Sequence, residues 1–267
     1  MKIGIIGTGN MASAVIKGMY NSKEDAQFVT YNLEFEGAKK LADAVDGVAV
    51  KTLKELNDVD TILIGCKPQH FEGLAKEMTS ELDLGDKHLL SIMAAISVDT
   101  IRSQTDCNKV TRLMPSLPIE FNEGISLLFH SDQVESSTKD SIKKLLSNAS
   151  NVYDIDTEEM FNKITVISGS GPAYVYYFTY LMEEVLTKWG LPKEQSKEMA
   201  IKLFKGSSIT MENDSKHTLG ELVDKVTSKK GVTIEAVNVF KEMGMPKIVE
   251  AAVNKAYERS CEIEKSI

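Results

Sequence analysis

The sequence predicts an α/β protein: a doubly wound, mostly parallel sheet over residues 1–157, followed by an all-α region over residues 158–267. Three observations carry that expectation. The chain opens with a strand, a glycine turn and a helix. Short aliphatic and β-branched runs then alternate with amphipathic stretches as far as residue 155, and from residue 158 onward every long segment is helical in pattern.

The opening carries the most chemistry. Residues 3–6 form a short apolar run that reads as a buried parallel strand, and residues 11–20 place Met11, Val15, Gly18 and Met19 on one helical face. Between them stands Gly7-Thr8-Gly9-Asn10-Met11-Ala12. Gly7 allows the tight turn, Gly9 removes a side chain that would hold the backbone away from a ligand, and Ala12 is small enough for the helix to pack on the strand. The helix N-terminus offers free N–H groups and a partial positive charge. A dinucleotide pyrophosphate needs this arrangement, so Gly7, Thr8, Gly9, Asn10, Met11 and Ala12 are candidate cofactor ligands.

Residues 27–32 read as the second strand and 34–44 as a helix. An acid ending this strand would hold a ribose 2′-hydroxyl, and a nearby arginine would favour a 2′-phosphate. The chain has Asn32 there, with Lys39 and Lys40 on the next helix, so Asn32 joins the candidates and the choice between NADPH and NADH stays open. Residues 48–50 are a short third strand. Residues 60–66 are a clearer one, ending at Lys67-Pro68-Gln69, where Pro68 stops the ladder. Ligands of doubly wound sheets sit at such carboxyl ends, which makes Lys67 and Pro68 candidates.

Strands are expected at 88–93, 110–114, 125–129 and 151–155, with helices at 99–103 and 133–146. Met93, Ala94 and Ala95 stand at the end of the fifth strand and are expected near the cofactor's ribose and nicotinamide. Beyond residue 158, breaks at 168–172, 190–192, 213–215, 228–231 and 244–246 leave room for five helices of 10 to 20 residues. The helix over 173–186 is apolar on more than one face, with Val175, Tyr176, Tyr177, Phe178, Tyr180, Leu181 and Met182. Such a helix must be covered on several sides, which points to a homodimer through the C-terminal helices.

Composition excludes some roles. A net charge of -8 argues against sequence-independent nucleic-acid binding. Three cysteines, odd in number and far apart, suggest no disulfide framework, and no run approaches a membrane span in length. With no leader pattern in the opening residues, a reducing, cytoplasmic protein is expected, without membrane partners. Its four histidines show no metal-ligand spacing, so no metal is expected.

Taken together, the opening glycine turn, Lys67-Pro68-Gln69, Arg112-Leu113-Met114-Pro115, the segment Ile164-Thr165-Val166-Ile167-Ser168-Gly169-Ser170-Gly171-Pro172-Ala173-Tyr174, and Val226-Thr227-Ser228 with Thr233-Ile234-Glu235-Ala236 resemble, in order and over nearly the whole chain, the signatures of the pyrroline-5-carboxylate reductase family. That resemblance implies a Rossmann domain, NADPH or NADH as cofactor, and hydride transfer to the C=N carbon of Δ1-pyrroline-5-carboxylate to give L-proline. It also implies an interlocked homodimer, assembled in some members into larger homo-oligomers.

The substrate, a cyclic imine bearing a carboxylate, needs an anion holder and a protonated imine nitrogen. Ser170, Gly171, Ser228, Gly231, Val232 and Thr233 are the substrate-binding candidates. Gly231, Val232 and Thr233 would present N–H groups at the start of a helix running from about residue 232 to 240, and Ser228 and Thr233 add hydroxyls; helix capping is the alternative reading of both. By resemblance Thr233 hydrogen-bonds the imine nitrogen, and Thr233 and Ser228 are the catalytic candidates. The family's loop reads Ser-Pro-Gly-Gly where this chain has Ser228-Lys229-Lys230-Gly231, and its Asn-Thr stands where this chain has Ser116-Leu117. Reduction of another cyclic imino acid, or a nucleotide-binding regulatory paralogue, are the alternatives. β-Hydroxyacid dehydrogenases are disfavoured, because the helix after Gly171 has no lysine before Lys188.

Overall fold

The computed structural model describes residues 1–228 and 231–265. The chain divides into two compact units, Met1–Pro172 with Ala256–Ile267, and Ala173–Lys255.

The first unit is built on an eight-stranded sheet of β1 (Lys2–Ile6), β2 (Gln27–Tyr31), β3 (Val48–Val50), β4 (Thr61–Ile64), β5 (His88–Ser91), β6 (Lys109–Pro115), β7 (Gly124–His130) and β8 (Ser150–Asp154). Its order is β3-β2-β1-β4-β5-β6-β7-β8. The pairs from β3 across to β6 are parallel, β7 is antiparallel to β6, and β8 is parallel to β7. The reversal has a local cause. Between β6 and β7 the chain makes only one 3-10 turn, Leu117–Phe121, and a parallel return needs a crossover of about a dozen residues.

Helices α1 (Asn10–Asn21), α2 (Phe35–Ala44), α3 (Phe71–Glu81), α4 (Val98–Thr105) and α5 (Ser136–Leu146) cover the sheet. Strand alternation sorts the core into two layers. Ile3, Ile5, Leu63, Leu90 and Leu113 pack with Val15 of α1, Leu41 of α2 and Leu145 of α5, while Ile6, Ile62, Ile64 and Leu89 pack with Phe71 and Met78 of α3 and Ile101 of α4. The sequence reading lacked α3. Its buried stripe is only Phe71, Ala75 and Met78, interrupted by Gly73 and charged residues, which gives a weak periodic signal.

At the sheet edge away from the strand ends that follow β1 and β4, a polar ladder crosses five strands. Thr61 Oγ1 lies 3.2 Å from His88 Nδ1, Thr111 Oγ1 lies 2.7 Å from His88 Nε2 and 2.8 Å from His130 Nδ1, and His130 Nε2 is 3.5 Å from Asp154 Oδ1. The Thr111 hydroxyl has a single proton and can donate to at most one of the two imidazoles, which couples their tautomers. Burial, then the charges of His130 and Lys109, push the His88 pKa down to about 3 from 6.5. Because the folded value is depressed, the unfolded chain binds the extra proton first: His88's contribution is fully present above pH 6.5 and is lost as pH falls toward 3, at up to about 1.4 kcal/mol per pH unit. The acid limb of a urea-unfolding series should therefore be shallower in His88→Gln. An unchanged slope would remove His88 as its cause.

From residue 158 the chain is helical: α6 (Glu158–Ser168), α7 (Gly171–Lys188), α8 (Lys193–Asn213), α9 (Leu219–Lys225), α10 (Val232–Glu242) and α11 (Met245–Lys265). Among the described residues that is six helices rather than the five expected, because α9 has only 7 residues, shorter than any the pattern was taken to hold. Within Ala173–Lys255, among the described residues, only Ser196 and Ala200 are buried. Tyr177, Leu203, Ile209, Phe240 and Ile248 are all exposed. A segment with so little interior cannot offset its ordering entropy by its own packing. Among the described residues no helix is long and apolar enough to cross a membrane.

Candidate active site

The chain passes from β1 outward through β2 and β3, then returns to place β4 on the other side of β1, so the strand order reverses between β1 and β4. The crevice beyond their carboxyl ends is where such sheets take ligands. Gly7, leaving β1, has φ +90°, and a Cβ there would meet the Gly65 carbonyl at 3.1 Å. Gly65 is itself pressed against α1: a Cβ on it would lie 2.9 Å from the Ala12 Cβ. Ala12 is buried, and this contact is the close helix–sheet packing its size was expected to serve. Gly9 caps α1 with extended backbone, and a Cβ there would meet nothing within 4 Å. The space in front of it is open.

A cavity of about 390 Å³ occupies that space, lined by Gly7, Thr8, Gly9, Asn32 and Lys67 among others. Asn32 ties the two loops together: its Oδ1 accepts from the Thr8 backbone N–H at 3.3 Å and its Nδ2 donates to the Glu34 carbonyl at 3.1 Å. Asn10 faces a neighbouring hollow, shared with Thr8, Lys17 and Lys40, while Met11 is half-buried against the core. Cys66, at the end of β4, also lines the cleft; burial pushes its thiol up to about 11, so it stays protonated and is no nucleophile at neutral pH. The open cradle before Gly9 and the free first turn of α1 suit a dinucleotide's pyrophosphate.

Lys67 and Pro68 form the corner between this cleft and a second cavity of about 740 Å³. Pro68, Ala94, Ala95 and Ser170 line the second one, together with Arg259 and Ser260 of α11. Ala95 has φ +57°, a left-handed value that costs a non-glycine residue about 1 kcal/mol and marks the turn as one held by its surroundings. Met93 is placed differently from its neighbours. Its side chain is buried in the core, with Sδ 3.5 Å from Cys66 Sγ, and its backbone N–H donates to Ser91 Oγ at 3.3 Å. Arg259 and Ser260 were not among the sequence candidates, since nothing in a helix's own pattern shows that its last turns come back to the nucleotide-binding unit.

The start of α6 is fixed by a buried ion pair. Arg112 Nη1 of β6 donates to Glu158 Oε1 at 2.7 Å and to Asn162 Oδ1 at 2.9 Å, and its guanidinium lies 4.6 Å from the centroid of the Phe161 ring. Glu158 Oε1 also accepts from the Val98 N–H at 2.8 Å. α6 then runs to Gly169, where a Cβ would meet the Thr165 carbonyl at 3.0 Å, and on to Ser170. Neither Gly169 nor Gly171 takes a positive φ, so close approach, not an unusual dihedral, is the reason for glycine at Gly169.

Ser228, Gly231, Val232 and Thr233 lie together in the second unit. The Gly231 N–H donates to the Ser228 carbonyl at 2.9 Å, and a Cβ on Gly231 would fall 2.3 Å from Ser228 Oγ, so this turn requires glycine. Gly231 caps α10, and no side chain occupies the cap; Ser228, Val232 and Thr233 are exposed. Among the described residues no side chain bonds the first-turn N–H groups of α10, as an anion holder needs. Lys229 and Lys230 fall outside the described residues.

Residues 158–263 match the family model for pyrroline-5-carboxylate reductase dimerisation, and residues 2–95 match that for coenzyme F420-dependent NADP oxidoreductases. The pyrroline-5-carboxylate reductase of Staphylococcus aureus is 30% identical over 98% of both chains. The chain belongs to the pyrroline-5-carboxylate reductase family. The reductase of Staphylococcus haemolyticus is 28% identical over 100% of this chain and 99% of its own. Among solved structures, that of the Streptococcus pyogenes reductase superposes with a TM-score of 0.83 at 26% identity, covering 98% of each chain. The Plasmodium falciparum reductase, solved with NADP bound, shares the fold at a TM-score of 0.84 and 24% identity over 99% and 98% of the two chains. Members of this family are NAD(P)-dependent oxidoreductases, and the dimerisation match accounts for the scarcity of buried residues in Ala173–Lys255: the protein is a homo-oligomer.

Proposed function

We propose that the protein reduces Δ1-pyrroline-5-carboxylate to L-proline, with NADPH or NADH as hydride donor. The observation that carries this reading is the pairing of the Gly7-to-Ala12 cradle with a second cavity across the Lys67–Pro68 corner, in a chain 98% covered by reductases of this name. Bound NADPH or NADH supplies the hydride. Gly7, Thr8, Gly9 and the first turn of α1 hold its pyrophosphate, and Asn32 holds its adenosine ribose; Lys17 and Lys40, beside Thr8, supply charge that a 2′-phosphate would meet. Lys67, Pro68, Ala94 and Ala95 border the nicotinamide end, with the Met93 backbone behind them.

On the substrate side, the N–H groups of Gly231, Val232 and Thr233 hold the carboxylate, with the Ser228 hydroxyl beside them, and Ser170 and Gly171 are further substrate contacts. The Thr233 hydroxyl orients the imine nitrogen. A threonine hydroxyl is too weak an acid to protonate an imine, so the nitrogen enters already protonated and Thr233 fixes its direction. The exposed apolar faces of α7 to α11 are buried by a second copy of the chain.

The test is oxidation of NADPH and of NADH, each with Δ1-pyrroline-5-carboxylate, with proline quantified. Stoichiometric proline is expected, and the ratio of rates gives the cofactor preference. Intact cofactor binding without turnover would shift the assignment to another cyclic imino acid or to a regulatory paralogue. Within this mechanism, Thr233→Ala should lower kcat/KM about a hundredfold while the NADPH Kd stays within about twofold. An unchanged rate would take Thr233 out of the reaction.

A further inference from the structure

The second cavity has a wall that the reading above leaves without a role. Opposite the strand ends, Arg259 and Ser260 of α11 face the space also bordered by Pro68, Ala94, Ala95 and Ser170. All six belong to the unit Met1–Pro172 with Ala256–Ile267, so the cavity is complete within it. Lys163 Nζ of α6 is 6.0 Å from the centroid of the Tyr257 ring of α11.

The charges around this cavity are unequal in their commitments. Glu72, the carboxylate on its rim, is 2.7 Å from Lys76 Nζ. Arg259 is the cavity's cation among the described residues. Its Nη1 donates to Glu262 Oε2 at 2.8 Å, one helical turn on, which uses one of its five N–H donors. Its side chain is 69% exposed, open to an incoming ligand. A guanidinium held by one carboxylate at its edge still presents donors in a planar fork that fits a second carboxylate.

Resting on the proposed imine reduction, we propose that Arg259 is a specificity-determining residue: its charge attracts imines that carry a carboxylate as they enter and so sets the preference for them, while the N–H groups at the start of α10 remain the carboxylate's holder in the reacting complex. Its role is distinct from that of Thr233. Arg259 acts on capture of the anion, before the imine nitrogen is aligned, so its loss appears in KM and in the salt dependence of kcat/KM. Thr233 acts on the reacting atoms, so its loss appears in kcat. Ser260, beside Arg259, offers a hydroxyl to the same anion.

The experiment compares wild type, Arg259→Gln and Arg259→Lys with two imines: Δ1-pyrroline-5-carboxylate, and 1-pyrroline, the same ring without the carboxylate, measured as substrate or as competitive inhibitor. In Arg259→Gln the KM for the carboxylate substrate should rise about tenfold with kcat within about twofold, while the constants for 1-pyrroline move less than about twofold. Raising ionic strength should lower kcat/KM less steeply in Arg259→Gln than in wild type. Arg259→Lys, which keeps the charge and loses the fork, should recover most of the KM. Equal losses with both imines, an unchanged KM, or a weakened NADPH Kd would each overturn the assignment. Were wild type itself inactive on Δ1-pyrroline-5-carboxylate, the proposed function would fall first. An active wild type matched by Arg259→Gln would sink this inference alone.

Discussion

Gly9→Val should abolish NADPH binding in a protein that still folds. The two halves of that expectation come from different observations at one residue. Gly9 has extended backbone, φ -65° and ψ 173°, which valine adopts readily, and a Cβ there meets nothing within 4 Å. The substitution therefore costs the fold little. In the complex, however, valine's methyl groups would stand where the pyrophosphate must approach the α1 N-terminus, and a loss of about 3 kcal/mol or more, roughly a hundredfold in Kd, is expected from losing those charge-assisted bonds. Gly7→Ala is the contrasting variant. Its φ of +90° and the Gly65 backbone at 3.1 Å put the strain in the free protein, so stability should suffer before binding does. Fluorescence titration with NADPH and urea unfolding read the two variants apart. Tight binding by a folded Gly9→Val protein would refute the cradle assignment.

The same glycine turn explains why so much of the nucleotide half could be read from residue order alone. Gly7, Gly9 and Ala12 fall together at one strand-to-helix turn, so their spacing is visible in the order of residues, and the aliphatic strands around them are short and sharply bounded. What the order of residues could not show is contact at long range. Gly65 reads as the end of a strand, yet it is the partner that makes Ala12 and Gly7 necessary. Met93 reads as part of a strand-end turn with Ala94 and Ala95, yet its side chain is buried in the core against Cys66. Arg259 sits more than 160 residues from the Ala94–Ala95 turn whose cavity it lines. Only the return of α11 brings it there.

In the helical half the legible feature was the mismatch between apolar content and available cover. Tyr176, Tyr177 and Tyr180 of α7 are exposed at 48% or more, as expected for a helix whose partner faces lie on another copy of the chain. Helix count was less legible, because α9 is stabilised by its ends and not by a buried stripe. Thr218 caps it, accepting from the Glu221 N–H at 3.3 Å while Glu221 Oε2 accepts from the Thr218 N–H at 2.7 Å. Such a capping box can hold seven residues that hydrophobic periodicity passes over.

Glu158→Ala should be the most destabilising single change among the ion-pair residues, by about 3–5 kcal/mol. Surface pairs set the contrast: Lys163–Glu159, one step along the same helix and 49% and 71% exposed, is screened by water and should contribute little. Arg112 differs because its side chain is 2% exposed. Removing Glu158 leaves that guanidinium desolvated, with Asn162 as its remaining hydrogen-bond partner of the two at Nη1, and takes the acceptor from the Val98 N–H as well. Glu158→Gln keeps an acceptor for Val98 and should fall between alanine and wild type. The double variant Arg112→Met with Glu158→Met removes both charges together and should recover much of the loss, since buried pairs are often matched by apolar residues of similar size. Urea unfolding at one fixed protein concentration, as an oligomer requires, measures all three. Because α6 carries Thr165 and leads to Ser170 on the cavity wall, Glu158→Ala should also raise the KM for the imine at temperatures where the protein remains folded. A Glu158→Ala protein within about 0.5 kcal/mol of wild type would show that water reaches Arg112 and that α6 is positioned by Phe161 packing instead.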